Sequence, residues 1–374
     1  MKYCTWILGL SALHGMAAVA GPTPPREIVI AQVAAFSGPL APTGKGMRAG
    51  IQLYFDHINA TGGINGAKIR LVTKDDGYRP ADTVRLLRET IASDHPIAFI
   101  GGIGTANFEA ATQEHVLTDA NMAVIGVASG ASSMLRQPNV FIIKATHHDE
   151  LNKLFSIFST TGVDRVGILY QDDNFGADVL AGAEKAAAAT GVKLAVKTTY
   201  PRNTTDVKAA VEAMLKTNPP MVYMGGTTTV TMEFIKEYRK RGGEAQIYGL
   251  SINDGETIAG KLGPDLARGF AWGTVVPPTT AQNFSVVREY RALAAQSKDP
   301  DLSGRSVEGF ISAKVLVYAL RHAKNLTPGA VLQTVSAISQ LDLGNYVIDF
   351  KDAGHTGSRW VDFAILDGRG QVIR

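Results

Sequence analysis

Short, continuous apolar runs alternate with helix-length amphipathic segments along most of the chain. A run such as 166–169 shows no alternation of apolar and polar residues, which indicates a strand buried on both faces, as in parallel sheets. The segments between the runs repeat their apolar positions every three or four residues, as amphipathic helices do. The other apolar runs are 97–100, 124–125, 221–224 and 246–248. This alternation predicts a doubly wound α/β protein with parallel sheets.

The clearest unit of this pattern lies between residues 27 and 76. A strand at 28–30 is followed by a helix with an apolar face and then by a second strand at 69–72. Gly62 and Gly63 suit the left-handed backbone at the end of a helix, and the dipeptide Asn65-Gly66 is typical of a tight turn. These features predict a right-handed β-α-β unit that opens a parallel sheet.

The pattern becomes looser in the last third of the chain. We predict a strand that reaches Val276, long helices over 284–295 and 307–323, and a shorter helix that begins near Pro328. Residues 346–373 alternate between apolar and polar positions, which predicts antiparallel strands.

The N-terminus has the pattern of a signal peptide, which we assign to residues 1–20. Lys2 precedes an apolar stretch over 6–19, and the Ala-Val-Ala sequence at 18–20 predicts cleavage after it. The stretch is too short to span a bilayer. The predicted signal peptide also contains Cys4, the only cysteine, so we expect no disulfide and no thiolate metal site in the mature chain. We therefore expect a periplasmic protein without a lipid anchor.

Composition and motifs exclude several function classes. The formal net charge is only +3 and the basic residues are scattered, which argues against nucleic-acid binding. The chain contains no Gly-x-Ser-x-Gly and no His-Glu-x-x-His motif, so we expect neither an enzyme nor a cofactor. His147-His148-Asp149 is interpreted as the solvated start of a helix rather than a metal site.

The first unit also carries a family resemblance. Ser37-Gly38-Pro39, the run at 59–68 and the acidic strand end Asp75-Asp76 resemble, in order and spacing, the Leu/Ile/Val-binding family of periplasmic solute-binding proteins. Residues 304–314 are the main match in the last third. The resemblance implies the type I periplasmic binding fold, in which two Rossmann-like lobes enclose a cleft.

The same resemblance implies the division of the chain and its function. The crossings between lobes are expected near 143–146, 272–279 and 337–343. Lobe 1 would then comprise 26–143 plus 278–337, and lobe 2 would comprise 144–277 plus 338–374. The implied function is that of a monomeric substrate-binding component of an ABC importer, which delivers a small amino acid-like ligand to a membrane permease. The remote alternative is an enzyme on a similar bilobed scaffold.

Two loops of the predicted first lobe are rich in small and polar residues. Gly104-Thr105 follows the third strand, and residues 129–132 follow the fourth. Glycine lets a ligand approach the backbone, and hydroxyls beside helix N-termini suit a carboxylate. By resemblance, Thr105 would supply a hydroxyl to the ligand carboxylate, and the second loop would supply backbone and hydroxyl groups from Ser129, Gly130, Ala131 and Ser132. Alternatively, Thr105 and Ser132 serve only as helix N-caps.

The remaining candidates also come from the resemblance. Phe175 occupies a position where the family has an aromatic residue that packs on the ligand, and Thr227 and Thr228 lie where further side chains enter the cleft. Thr43 matches a position that is often aromatic, so this wall is expected to be less bulky here.

Ser251 is a departure from the family pattern. In amino-acid-binding members, an acidic residue at this position binds the ligand's ammonium group. A buried ammonium without a partner loses several kcal/mol, against a total of about 8 kcal/mol for micromolar binding. Either Asp254, Asp172 or Glu256 supplies the acid, or the ligand is an aromatic or aliphatic carboxylate without an ammonium. The family favours an amino acid.

Overall fold

The computed structural model describes Met1, residues 27–351 and residues 356–373. The predicted signal peptide, apart from Met1, lies outside these residues. The strands are β1 (Glu27–Ala34), β2 (Lys68–Asp75), β3 (Ala98–Ile100), β4 (Val124–Ile125), β5 (Val140–Phe141), β6 (Arg165–Asp172), β7 (Lys193–Pro201), β8 (Met221–Gly225), β9 (Gln246–Gly249), β10 (Ala271–Thr274), β11 (Leu341–Asp342), β12 (Val347–Ile348), β13 (Asp362–Leu366) and β14 (Val372–Ile373).

The helices surround these strands, and none in the described residues is long and apolar enough to cross a membrane. They are α1 (Ala41–Ala60), α2 (Pro80–Asp94), α3 (Thr105–Gln113), α4 (Val116–Asp119), α5 (His147–Thr160), α6 (Asn174–Thr190), α7 (Lys208–Thr217), α8 (Thr228–Lys240), α9 (Gly255–Leu262), α10 (Pro264–Ala267), α11 (Ser285–Ala294), α12 (Ser306–His322) and α13 (Pro328–Ser336). Gly38–Leu40 and Ser132–Arg136 form short 3-10 helices.

Two sheets confirm the predicted doubly wound architecture. The first has the order β2-β1-β3-β4-β5, and all of its strands are parallel. The second has the order β14-β13-β10-β9-β8-β6-β7. Its segment β7-β6-β8-β9-β10 repeats the order of the first sheet, and β13 and β14 add antiparallel strands, as the alternating tail predicted. In each sheet the order of the strands therefore reverses next to the first strand of that sheet. Open α/β sheets bind ligands at such a point.

Helices from distant parts of the chain complete the first core. Residues of α11, α12 and α13 pack in one apolar cluster with β1, β3 and α1. Helices α1 and α12 approach closely because glycines lie between them: a Cβ atom on Gly50 would lie 1.9 Å from the carbonyl oxygen of Ser306. This contact ties the beginning of the chain to its last third.

Three segments that join the sheets meet in one small apolar cluster. Ala145, Val275 and Val361 pack together there. The Tyr346 hydroxyl lies 2.8 Å from the carbonyl oxygen of Ile143 and 2.9 Å from that of Val275, so it braces two of the segments. This arrangement supports a hinge with three crossings.

The lobe boundaries stay a prediction, but the packing favours one adjustment. Ile338, Tyr346, Ile348 and Phe350 belong to the core of the first sheet, while β13 joins the second sheet. We therefore propose that the third crossing follows Phe350, rather than lying at 337–343.

Candidate functional site

A small cavity lies between the two sheets, at the carboxyl ends of their strands. The space open to the centre of a water molecule is about 20 Å³, so the lobes are close together in this structure. We call it the cleft cavity. Its lining consists of Leu40, Tyr78, Ile103, Gly104, Thr105, Ala128, Ser129, Lys144, His147, Phe175, Thr227, Ser251 and Ile252.

The loop after β3 presents a hydroxyl to this cavity. Helix α3 begins at Thr105, with Gly104 as its cap and with no side-chain capping bond. Thr105 Oγ1 lies 2.8 Å from Ser129 Oγ, so the two predicted loops meet. The Gly104 backbone has φ 103°, and a Cβ there would lie 2.5 Å from Asn107 Oδ1, so a side chain would be strained in two ways. Thr105 is therefore not an N-cap, and its hydroxyl, paired with that of Ser129, lines the cleft cavity.

The loop after β4 is held by a buried histidine. The Gly130 N–H donates to His147 Nε2 (2.9 Å), and His147 Nδ1 lies 3.2 Å from Asp178 Oδ2. These partners place the single proton of a neutral ring on Nδ1. Burial lowers the pKa of His147, against the opposing effect of Asp178. The prediction that a helix starts at His147 is confirmed, because α5 begins there. The prediction that His147 is solvated is wrong, because this residue is only 4% exposed.

Of the four predicted residues of this loop only Ser129 lines the cleft cavity, whereas Gly130, Ala131 and Ser132 do not. The Ala131 N–H donates to Ser129 Oγ (3.2 Å). Ser132 donates its N–H (3.0 Å) and its hydroxyl to Asp178, which lies on α6 beside the second sheet. Burial alone would raise the pKa of Asp178, but hydrogen bonds from His147, His148 and Ser132 outweigh burial and hold that pKa well below its usual value. Ser132 thus joins the lobes rather than contacting the cavity.

The second sheet supplies Phe175 and Thr227 as the resemblance implied. The Phe175 ring packs edge-on against His147, with centroids 5.3 Å apart. Thr227 is buried, and its hydroxyl has no hydrogen-bond partner within the described part of the chain. A buried hydroxyl without a partner is unfavourable unless a ligand completes it. Thr227 is therefore a candidate ligand contact.

Three of the predicted site residues do not line the cleft cavity. The Thr228 hydroxyl donates to the carbonyl of Ile252 (3.3 Å) and accepts the N–H of Asp254 (3.0 Å). The Asp254 carboxylate caps α9 by accepting the N–H of Thr257 (3.2 Å). Thr43 is buried near the start of α1, and Leu40 lines the cavity in its place.

A buried charged network lies behind Ser251, and the sequence reasoning missed it. Glu150 accepts the N–H (2.9 Å) and the hydroxyl (2.6 Å) of Ser251. Burial raises the pKa of Glu150 to about 7, although Ser251, Lys144 and Arg305 oppose the rise. Lys144 Nζ lies 2.8 Å from Glu308 Oε1, and Arg305 binds both Glu308 and the carbonyl oxygen of Ser251.

This network determines the charge at the cleft cavity. Lys144 belongs to the lining, whereas no Asp or Glu among the described residues does. Burial opposes the ionised form of Glu308, but Lys144 and Arg305 hold its pKa below the usual value, so it remains charged. The Tyr78 hydroxyl accepts a hydrogen bond from Gln171 (3.1 Å), and burial raises its pKa to about 12, so it keeps its proton. The lining is thus rich in hydrogen-bond donors.

Little in the sequence pointed to the missed residues. Lys144 falls within the predicted first crossing, and Tyr78 follows the acidic strand end by two residues. Both positions were available, but only the closed lobes bring them to one cavity. Within the described residues, no three His, Cys, Asp or Glu side chains converge in a way that would hold a metal ion.

Comparison with known proteins places this architecture in a family. The model of a family described as periplasmic binding protein matches residues 27–371. The chain is 24% identical over 358 residues to Leu/Ile/Val-binding protein homolog 8 of Brucella suis, covering 92% of this chain and 87% of that protein.

Solved structures of similar proteins have the same fold. A substrate-binding periplasmic protein from Ralstonia solanacearum is 38% identical with a TM-score of 0.88, covering 92% of this chain and 99% of that one. A branched-chain amino acid transporter substrate-binding protein from Streptococcus pneumoniae, solved with isoleucine, has the same fold at 18% identity and a TM-score of 0.80, covering 93% and 98%. All three relatives are named as binding proteins rather than enzymes. Because the family match extends over almost all of the described residues, the protein belongs to the periplasmic binding protein family and has the type I fold of its Leu/Ile/Val-binding members.

Proposed function

We propose that the protein is the substrate-binding component of an ABC importer and that its ligand is a small organic acid, bound by its carboxylate in the cleft cavity. The observation that carries this proposal is the lining of that cavity, which combines the hydroxyls of Thr105, Ser129 and Thr227 with the ammonium group of Lys144. The N-terminus of α3 adds backbone N–H groups beside Thr105. Hydroxyl, ammonium and helix N-terminus all favour an anion.

The same lining disfavours an α-ammonium group. No carboxylate lines the cavity in the part of the chain that the structure describes, and Ser251 occupies the position where the family has an acid. A buried ammonium beside Lys144 would find no carboxylate among the residues that line the cavity, so the loss of its hydration would not be compensated there. A carboxylate without an α-ammonium group fits these surroundings better than an α-amino acid.

An α-amino acid remains the second candidate, because one observation favours it. The Glu150 carboxylate lies 2.6 Å from the Ser251 hydroxyl, directly behind the cavity wall. A rotation of Ser251 would expose this acid to a ligand ammonium group. The Brucella suis relative is named as a Leu/Ile/Val-binding protein homolog, which is consistent with this alternative.

A thermal-shift comparison of matched ligands distinguishes the two candidates. The pairs are leucine with 4-methylpentanoate and valine with 3-methylbutanoate, which differ only in the ammonium group. We expect the acids to raise the melting temperature of the protein more than their amino acids do. A larger shift with leucine and valine would contradict the proposed ligand class and support the amino-acid function.

We also propose that the chain is exported, cleaved after residue 20, and acts in the periplasm as a monomer without a cofactor, docking on a membrane permease. Proteins of this family are exported, which supports the proposal. Mass spectrometry of the periplasmic protein should find an N-terminus at Gly21; a periplasmic chain that begins at Met1 would contradict it.

A further inference from the structure

A second cavity lies beside the cleft cavity and has Ser251 and Arg305 in its lining. It is larger, at about 50 Å³ by the same measure, and it lies between the start of α9, strand β10 and the segment before α12. Ser251 lines both cavities, so they meet at this residue. The lining consists of Ser251, Asn253, Asp254, Gly255, Glu256, Trp272, Gly273, Thr274, Val275, Val276, Pro278, Gly304, Arg305 and Val372.

Two buried oxygen atoms in this lining have no hydrogen-bond partner within the described residues. They are Asn253 Oδ1 and Thr274 Oγ1, on side chains of residues that are 2% and 7% exposed. The Asn253 amide nitrogen donates to the carbonyl oxygens of Gly226 (3.1 Å) and Leu250 (2.9 Å), so the identity of the free amide atom is fixed as oxygen. Both atoms can accept a hydrogen bond from a ligand.

The charges around the second cavity also favour a ligand group that donates hydrogen bonds. Asp254 and Glu256 contribute two carboxyl groups, and Arg305 contributes a guanidinium that is already paired with Glu308 and with the carbonyl of Ser251. Glu150 faces this region from behind, since a Cβ on Gly273 would lie 2.4 Å from its carboxylate. Burial raises the pKa of Glu256 and the negative charge of Asp254 adds to the rise, while hydrogen bonds from Thr279 and from the Gly304 backbone oppose it.

An aromatic wall completes the cavity. Trp272 is 6% exposed and stacks on Phe270, with centroids 5.7 Å apart and planes 8° from parallel. An ammonium group donates three hydrogen bonds and accepts none, so it matches a lining of acceptors and acids.

We propose that the second cavity binds an ammonium group at the far end of a ligand whose carboxylate occupies the cleft cavity. The ligand class is then an ω-amino acid, in which the two charged groups are separated by a carbon chain, rather than an α-amino acid. This inference rests on the proposed carboxylate site, because the chain must pass Ser251 to connect the two cavities.

The test is calorimetric titration of the mature protein with ω-amino acids of three to six carbons, each paired with the unsubstituted acid of the same length. The variant Thr274→Val removes a hydroxyl that has no partner among the described residues, so it should not impair folding. Thr231→Val is the matched control, because Thr231 also has a buried hydroxyl without a partner among the described residues, but it lies on α8 and does not line the second cavity.

We expect at least one ω-amino acid to bind about 10-fold or more tightly than its unsubstituted acid, as hydrogen bonds to a charged group would give. Thr274→Val should reduce this ratio at least threefold, and Thr231→Val should leave it unchanged. If no pair differs in affinity while the acids bind, the second cavity is not an ammonium site and the carboxylate site stands. If no acid of either kind binds, the carboxylate site fails and this proposal fails with it.

Discussion

At the scale of single residues, Thr105 is the most direct test of the carboxylate site. Its hydroxyl is 2.8 Å from Ser129 Oγ and lines the cleft cavity without capping α3. Hydrogen bonds to a charged group contribute about 1.5 to 3 kcal/mol. We therefore expect Thr105→Val to weaken acid binding roughly 10- to 100-fold in calorimetric titrations, and Thr105→Ser to retain most of the affinity. Equal dissociation constants for Thr105→Val and wild type would remove Thr105 from the site.

The raised pKa of Glu150 predicts that the stability of the folded protein depends on pH. Its pKa rises from 4.5 to about 7 on folding, so between these values the folded state holds a proton that the unfolded state has released. Stability must then fall as the pH rises through this window, by up to about 1.4 kcal/mol per pH unit. The variant Glu150→Gln cannot titrate, so its stability relative to wild type should increase from pH 5 to pH 7.

Urea denaturation of both proteins at several pH values measures this difference. Glu89→Gln is the control, because Glu89 is an exposed glutamate on α2. A stability difference between Glu150→Gln and wild type that does not change with pH would show that Glu150 is not protonated in the folded protein.

Individual residues also show which parts of the site could be predicted from the sequence and which could not. Thr105 and Ser129 follow strand ends, so a local pattern places them at the cleft, and the family resemblance adds Thr227. All three line the cavity. Lys144 and His147 could not be assigned in this way. Their position at the cavity depends on how the crossing segment and α5 lie between the lobes, which no local pattern encodes.

At the scale of elements, the glycines between α1 and α12 give a stability prediction. A Cβ on Gly50 would lie 1.9 Å from the carbonyl oxygen of Ser306 and 2.9 Å from the backbone nitrogen of Phe310, and backbone atoms cannot move aside as side chains do. We expect Gly50→Ala to lower the free energy of unfolding by about 3 kcal/mol. Gly260→Ala is the control, because a Cβ at this position in helix α9 would meet no atom of the other described residues within 4 Å, its own helix backbone aside.

The control should behave in the opposite direction, since alanine favours a helix by about 1 kcal/mol over glycine. Urea denaturation gives both values. If the two variants have similar stabilities, the close approach of α1 and α12 does not contribute to the fold as described.

The strands illustrate what a sequence pattern can and cannot predict. β6, β8 and β9 were predicted because central parallel strands are apolar on both faces. β7 was missed because it is an edge strand whose residues alternate between exposed and partly buried, and no continuous apolar run marks it. β5 was missed because only two residues, Val140–Phe141, form it.

At the scale of the whole molecule, Arg202 holds the two lobes together. It follows β7 of the second sheet and donates to the carbonyl of Tyr78 (2.8 Å) and to Asn107 Oδ1 (2.6 Å), beside the first sheet. Its guanidinium also lies 3.5 Å from the centroid of the Tyr78 ring. Lysine would keep the charge but lose the planar fork that makes these contacts together.

We therefore expect Arg202→Lys to reduce ligand affinity about 10-fold, because apparent affinity falls with the population of the closed form. The loss should appear mainly as faster dissociation in stopped-flow measurements. Arg70→Lys is the control, since Arg70 pairs with exposed Glu27 within the first sheet. Unchanged dissociation rates in Arg202→Lys would mean that this contact does not stabilise closure.

The central claim is that the cleft binds a carboxylate without an α-ammonium partner. A crystal structure of the mature protein with the acid that gives the largest thermal shift tests it most directly. We predict ligand carboxylate oxygens within about 3.2 Å of Thr105 Oγ1 and of a second donor among Ser129, Thr227 and Lys144. A ligand carboxylate outside this cavity would contradict the claim, as would an α-amino acid whose ammonium group binds Glu150.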